Sequence, residues 1–460
     1  MLQHVIKTHL NASQIYARLA SIPGKVLLDD SSREHGHRYA ILGVDPRVTL
    51  SLTGDRKLLR RRGGGLEVAA DVFAAARSML SEIRELSDPP IAESVFAGGI
   101  MGYLGYELNR HFEDVPTSNP PDSTLPDAIL AGFDTWFEID ESRVGEIRLI
   151  SLDATESWQN RIGQMVDLIA DGPELEEYRP PASRRVAYSN LDKAEYLNSV
   201  GRIHDYIREG EAYQVNLTQR FLLALEESPI AAFERIRANH PAPFGALLEY
   251  GKSAILSHSP ESFVRIDGSL VESRPIKGTI HRSSDPTEDE RLKKTLLESK
   301  KDQAELAMIV DLIRNDMSRV CRPMSVNVTE HAVIKSAPTV HHLVSTVEGR
   351  LKDGMDFFDL LQASWPGGSI TGVPKISAMH IINELENLRR GPYTGSVGYV
   401  GIDGRSEWSI AIRTMILENG YARVHGGGGI VIDSDPESEF EESVVKVAGI
   451  LDALDADIVS

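Results

Sequence analysis

The sequence predicts an α+β protein in which long antiparallel strand pairs are flanked by helices. Three observations carry that expectation. Residues 397–402, 408–418 and 421–425 read as strands joined at Asp403-Gly404 and Asn419-Gly420, dipeptides that favour tight hairpin turns. A further hairpin signal, Asp267-Gly268, joins the short β-prone runs 263–266 and 270–273. Helical signals flank these strands. Asp192 and Glu195 form a capping-box pattern ahead of Tyr196, Val200, Ile203 and Ile207. Ser434 and Glu437 form another ahead of Phe440, Val444, Val447 and Leu451.

Earlier elements follow from the same rules. Residues 25–29, 48–52 and 146–152 read as strands, and 72–86 and 158–170 as helices. Arg56 to Arg62 is basic and runs into Gly63-Gly64-Gly65, which reads as a solvated hairpin tip, with an anion site as the alternative. Residues 96–106 are apolar and glycine-dense, which points to close backbone packing. Residues 171–189 form the linker, carrying Gly172, Pro173, Pro180 and Pro181 without a hydrophobic period. It separates an N-terminal region, 1–170, from a second region, 190–454.

Composition narrows the function. The chain has 460 residues, 41% hydrophobic and 25% charged, which is ordinary for a globular protein. Its formal net charge of −19 disfavours nucleic acid and anionic membrane. An anionic substrate therefore needs a local positive pocket or a metal ion. Cys321 is the one cysteine, so no internal disulfide forms and a cytoplasmic setting is expected. No run approaches the roughly 20 apolar residues of a membrane span.

The chemistry centres on 257–282. Pro275 is expected to end strand pairing in Arg274-Pro275-Ile276-Lys277-Gly278-Thr279, and Gly278 to permit a sharp turn. Glu261 and Lys277 then sit on connections at the ends of neighbouring strands. Two solvated loop charges are the bland alternative. Gln214 and Asn216 share one face of a strand over 213–221, facing either a pocket or water. Asp302 with Glu305, and Glu439 with Glu442, are three apart on helices and can bind a hard cation, or simply complement the helix dipole. Gly367 to Lys375 has P-loop glycine spacing, but Val373 and Pro374 stand where Lys and Ser/Thr belong. No G-x-S-x-G elbow accompanies His425 and its glycine run.

Taken together, 257–282, Asp311 to Asp316, His342-Leu343-Val344-Ser345, Pro366 to Lys375, Tyr393-Thr394-Gly395 and Gly427 to Glu442 resemble the chorismate-utilising enzymes. That family includes anthranilate, aminodeoxychorismate, isochorismate and salicylate synthases. The resemblance is strong over about 190–450 and weaker at Arg38 to Gly43 and Phe96 to Tyr106. It implies an anthranilate-synthase-component-I-like fold of large antiparallel sheets packed together. Within the family, Lys277 in P-I-x-G-T and the run Tyr-Gln-Val-Asn-Leu at 213–217 resemble the aminodeoxychorismate-forming branch. Gln214 stands where the hydroxyl-transferring members carry a water-activating lysine.

The resemblance implies the following roles. Glu305 and Glu442 hold Mg²⁺, with Asp302 and Glu439 orienting its waters. Glu261 protonates the departing C4 hydroxyl, and Lys277 attacks C2. Arg413 and Tyr393 hold the enolpyruvyl carboxylate. Gln214, Asn216, Thr279, His342, Ser369, Gly427, Gly428, Gly429 and Lys446 complete the pocket. It also implies a separate glutaminase subunit as ammonia source. The alternative within the family is anthranilate formation with loss of pyruvate; outside enzymology, it is a noncatalytic scaffold for a glutaminase. Tryptophan-inhibited anthranilate synthases carry an L-L-E-S-type segment, where this chain has Leu27-Leu28-Asp29-Asp30.

Overall fold

A computed structural model describes residues 2–32, 38–86, 94–116, 118–140, 143, 145–337 and 340–459. Among them, thirteen strands form one sheet and twelve form another, counting Gly372–Val373, which branches off the first at Gln214–Ala224, and Asn327–Ser336, which branches off the second at Val340–Arg350. The first runs in the order Leu2–Lys7, Glu146–Ser151, Thr135–Asp140, Tyr39–Gly43, Val26–Asp30, Phe244–Tyr250, Ser253–Ser259, Thr414–Glu418, Tyr421–Ile430, Gln214–Ala224, Arg185–Ser189, Ala456–Val459. The second runs Ile276–His281, Val340–Arg350, Leu270–Arg274, Ser262–Asp267, Ser406–Ile410, Ser396–Gly401, Gly99–Leu104, Ala128–Phe133, Val48–Thr53, Arg56–Arg61, Leu66–Val68.

The alternation of side chains along the first sheet separates two cores. Val26, Ile41, Trp136, Leu248 and Ile255 point to the second sheet and join Leu50, Ile100, Leu130 and Trp408. Phe96 bridges the layers, edge-on to Trp136 at 5.3 Å and to Tyr399 at 5.5 Å. Leu27, Leu42, Phe137, Leu247 and Leu256 point the other way, onto helices carrying Ile15, Ile162, Phe233 and Ile450. The expected α+β architecture of packed antiparallel sheets and flanking helices is what forms.

Several local expectations change. Both sheets contain strands from either side of the linker, so the N-terminal region shares its hydrogen bonding with the second region. The linker itself ends in the strand Arg185–Ser189, which pairs with Gln214–Ala224 and Ala456–Val459. Pro275 interrupts pairing without ending it: Leu270–Arg274 and Ile276–His281 both pair with Val340–Arg350, with an irregularity between Lys277 and Thr279. Lys277 therefore lies on a strand. The helix Pro436–Ala453 is capped by Asp435, which accepts from the Ser438 N–H; Ser434 instead donates to Glu439 at 2.6 Å. The basic hairpin behaves as a solvated tip, with Arg61 paired to Glu67 and Glu82 and Arg62 to Asp134.

The strand expected over 408–418 is two strands. Ser406–Ile410 belongs to the second sheet and Thr414–Glu418 to the first. The chain crosses between sheets at Ala411-Ile412-Arg413. A second crossing, Ser259-Pro260-Glu261, lies against it. Ser259 Oγ donates to the Ile410 carbonyl at 2.6 Å, and the Ile410 N–H donates to the Glu261 carbonyl at 3.0 Å. The His258 N–H donates to the Arg413 carbonyl at 3.1 Å.

Candidate active site

These crossings place Glu261 and Arg413 where the two sheets part. Arg413 has φ of +51°, a left-handed conformation that side-chain-bearing residues rarely adopt and that concentrates at functional sites. Its side chain is open to solvent yet surrounded by protein mass, as expected for a residue lining a cleft. Burial lowers the affinity of its guanidinium for its proton, against an opposing effect of Tyr393. No hydrogen-bond or ion-pair partner for that guanidinium occurs among the described residues, so its planar fork is free for a carboxylate.

Glu261 is 5% exposed. Burial raises its carboxyl pKa, opposed by a hydrogen bond from Ser369, the charge of Lys277 and the Ile276 N–H. Lys277 Nζ lies 3.4 Å from the Ser369 carbonyl, so lysine and carboxyl meet at the same serine. Ser369 sits in the turn Gly368–Ile370, held close because Gly367 and Gly368 pack against Ile410 and Leu312 where a Cβ would clash.

Beyond Lys277 the helices Lys300–Val320 and Pro436–Ala453 face each other with their acidic residues. Lys301 Nζ lies 3.3 Å from Glu439 and 4.0 Å from Glu305. Burial raises the Glu305 carboxyl pKa, moderated by Lys277 and Lys301. Burial pushes Glu442 the same way, but Lys446, 2.6 Å away, with Lys301 and Lys277 holds it below the ordinary range. Lys446 also donates to the Gly427 carbonyl at 2.8 Å. A Cβ on Gly428 would lie 3.1 Å from a Glu439 oxygen and 3.5 Å from a Glu442 oxygen, so the glycine leaves space beneath both carboxylates.

Asp302 packs on Gly278, which has φ of +72°. A Cβ there would lie 2.8 Å from the Asp302 carboxyl carbon and 2.9 Å from Leu296. Gly278→Ala is therefore expected to lose on the order of 1–3 kcal/mol in stability, read as a lower denaturant midpoint. It should also displace the Asp302 carboxylate.

The opposite wall is built by Gln214–Ala224 and Tyr421–Ile430, with Asn216 opposite Gly429 and Leu217 opposite Gly428. Gln214 is 2% exposed and covers Gly429, where a Cβ would lie 2.0 Å from its amide nitrogen. Gln214 Oε1 and Asn216 Oδ1 are buried without a hydrogen-bond partner, which a bound polar ligand would relieve. Tyr393 stacks on His425 at 4.9 Å; its hydroxyl pKa is raised to about 12 by burial, with opposing effects from nearby charges. His342 hydrogen-bonds Thr279 at 2.9 Å, and its imidazole pKa is lowered to about 4 by burial and by Arg413.

Of the residues picked from sequence, Glu261, Lys277 and Ser369 are brought together, as are Glu305, Glu439, Glu442 and Lys446. Lys301, His425 and Arg390 are not among those picked. Lys301 has a signal in the sequence, since it stands one turn before Glu305. His425 is marked in the sequence only by the glycine run that follows it, and Arg390 has no signal because its partners are remote in sequence. A cavity of about 590 Å³ beside Tyr178, Arg235 and His240 contains no predicted site residue. A small one, about 20 Å³, lies directly behind Glu261 and Ser369.

A model of the chorismate binding enzyme family matches residues 25–452. The chain belongs to the chorismate-binding enzymes. It is 37% identical over 446 residues to aminodeoxychorismate synthase component 1 of Klebsiella aerogenes, covering 97% of each chain. It is 38% identical over 432 residues to anthranilate synthase component 1 of Streptomyces coelicolor, covering 91% of this chain and 81% of that one. Among solved structures, anthranilate synthase component I from Streptococcus pneumoniae TIGR4 superposes with a TM-score of 0.79 at 28% identity, covering 90% of this chain and 92% of that one. On a chain of net charge −19, Lys277, Lys301 and Lys446 lie together around Glu305 and Glu442. Among the described residues no three His, Cys, Asp or Glu side chains close around a metal position. No described helix is long and apolar enough to cross a membrane.

Proposed function

We propose that this enzyme replaces the C4 hydroxyl of chorismate with an amino group and keeps the enolpyruvyl group, giving 4-amino-4-deoxychorismate for para-aminobenzoate and folate synthesis. The observation that carries this is Lys277, an amine 3.4 Å from the Ser369 carbonyl and within the field of the buried acid Glu261. Full-length similarity to aminodeoxychorismate synthase component 1 supports the same choice. Residues 190–454 supply every side chain given a role here.

The free amine of Lys277 attacks C2. The ring double bonds shift, and the C4 hydroxyl leaves as water with a proton from Glu261, whose burial favours the protonated form that a general acid needs. The Glu261 carboxylate then accepts the proton released by the alkylated lysine. Ammonia adds at C4, the double bonds shift back, and Glu261 returns a proton to the departing lysine amine. Arg413 and Tyr393 hold the enolpyruvyl carboxylate so that this group is retained. Gln214, Asn216, Thr279, His342 and Ser369 orient the ring, with the Gly427 to Gly429 backbone and Lys446 closing the pocket.

Mg²⁺, which accepts one or two protein carboxylates alongside water and substrate oxygens, would be held by Glu305 and Glu442. Asp302 and Glu439 would orient its waters. When bound it supplies positive charge to the ring carboxylate. The space beneath Glu439 and Glu442 at Gly428, and the ammonium groups of Lys301 and Lys446 among these carboxylates, support that fit. The two relatives are named as first components, which supports a separate partner; we assign it as a glutaminase supplying ammonia, in the cytoplasm.

The test is product identification by mass spectrometry after incubation with chorismate, Mg²⁺ and an ammonium salt. The expected product retains the enolpyruvyl group and carries an amine at C4. Anthranilate with released pyruvate would overturn this reading, and no consumption of chorismate would return the chain to a scaffold.

A further inference from the structure

Arg390 is buried, and it is hydrogen-bonded to three segments that carry residues assigned to the chorismate pocket. Its side chain is 2% exposed. Two of its N–H groups donate to Glu386, at 2.9 and 2.6 Å. The others donate to the Ile370 carbonyl at 2.8 Å, the Asn216 carbonyl at 2.8 Å and the Thr394 hydroxyl at 3.4 Å. All five donors of the guanidinium are thereby used. Ile370 follows Ser369, Thr394 follows Tyr393, and Asn216 is itself a wall residue.

The backbone of Arg390 is held from the N-terminal region. The Glu107 carboxylate accepts the N–H groups of Arg390 and Gly391, both at 2.9 Å. Tyr106 lies against the guanidinium at 4.7 Å from the ring centre. Glu386 also accepts the N–H and hydroxyl of Thr218 at 3.0 and 2.9 Å, which ties it to the strand bearing Asn216. A buried ion pair that served stability alone would need only Arg390 and Glu386. The remaining donors are addressed to backbone and hydroxyl groups beside pocket residues, and a planar fork fixes their mutual spacing in a way an ammonium cannot.

We propose that Arg390, seated by Glu107 and Glu386, is a positioning residue through which the N-terminal region sets the spacing of the Asn216, Ser369 and Tyr393 walls. The proposal rests on reading those walls as the chorismate pocket. Burial, against the pull of the backbone donors, raises the Glu107 carboxyl pKa to about 7. Protonation near neutrality would turn one accepting oxygen into a donor and loosen this seat.

The test uses the full chain with Glu107→Gln and Arg390→Lys, both close in volume to the parent residues. Amide hydrogen exchange is followed over 214–218, 368–371 and 390–395, together with KM and kcat for chorismate with Mg²⁺ and ammonium. The expected result is exchange raised in those three segments alone, with KM raised about 10- to 100-fold and kcat less affected. Parental exchange and KM in both variants would overturn the proposal. So would faster exchange throughout the chain, or failure of both variants to fold, because either outcome makes the network a stability element only. If the parent chain does not consume chorismate, the substrate reading fails, and the exchange pattern still decides whether Arg390 sets these walls.

Discussion

Replacing Lys277 with alanine is expected to abolish C4 amination while leaving chorismate bound. Loss of a nucleophile commonly slows turnover by at least on the order of a thousandfold. The residues proposed to bind the carboxylates, Arg413 among them, are untouched by the change, so affinity measured by calorimetry should change little. Two measurements separate this from a general loss of the site. The parent enzyme, quenched during turnover, should yield a peptide containing Lys277 that carries the mass of the dehydrated substrate, and the variant should not. Amination by Lys277→Ala at the parental rate would remove the lysine from the mechanism and shift weight to direct addition of ammonia. The Gly278 neighbour makes the experiment clean: alanine at 277 adds no atom near Asp302, whereas a side chain at 278 would collide with it.

Glu261→Gln is expected to slow the departure of the C4 hydroxyl about 10²- to 10⁴-fold. Burial raises the Glu261 pKa, against the Ser369 hydrogen bond and Lys277, so the protonated acid is favoured in the folded protein. The rate supported by that acid should therefore fall as pH rises through its raised pKa. Glutamine neither donates a transferable proton nor titrates, and the corresponding alkaline limb of the kcat profile should vanish in the variant. Persistence of that limb would assign it to another group. The same shift has a stability consequence. An acid whose pKa is higher in the folded state contributes stability that is full below its unfolded pKa and is lost as pH rises through the folded one. The thermal midpoint of Glu261→Gln should accordingly vary less with pH than that of the parent.

Much of the site is legible in the amino-acid sequence. Glu305 and Glu439 are visible because carboxylates three or four apart on a helix share a face. Gln214 and Asn216 are visible by strand alternation, although alternation does not say whether their face meets a pocket or water. The fold buries Gln214 against Gly429. Two local expectations fail for an identifiable reason. The run 408–418 has unbroken strand propensity, yet the chain turns through a left-handed Arg413 to change sheets. Propensity averages over neighbours and does not register one residue of unusual φ. Pro275 predicts the end of a strand, but pairing resumes after it along Val340–Arg350. A proline removes one donor; it does not determine whether the partner strand continues.

By itself the sequence determined the class of the fold, several of its hairpins and helices, and a set of candidate residues for the chemistry. Those properties reside in short windows: turn dipeptides, caps, hydrophobic periods and motif spacing. Only the tertiary structure decided which charges face one another. Lys301 and Glu439 are 138 residues apart and lie within 3.3 Å. Glu107 and Arg390 are 283 apart and share a buried hydrogen bond. Such pairs arise because strands from both ends of the chain enter the same two sheets. Sheet order is set by the packing of whole faces, a nonlocal quantity with no signature in the residues on either side of a contact.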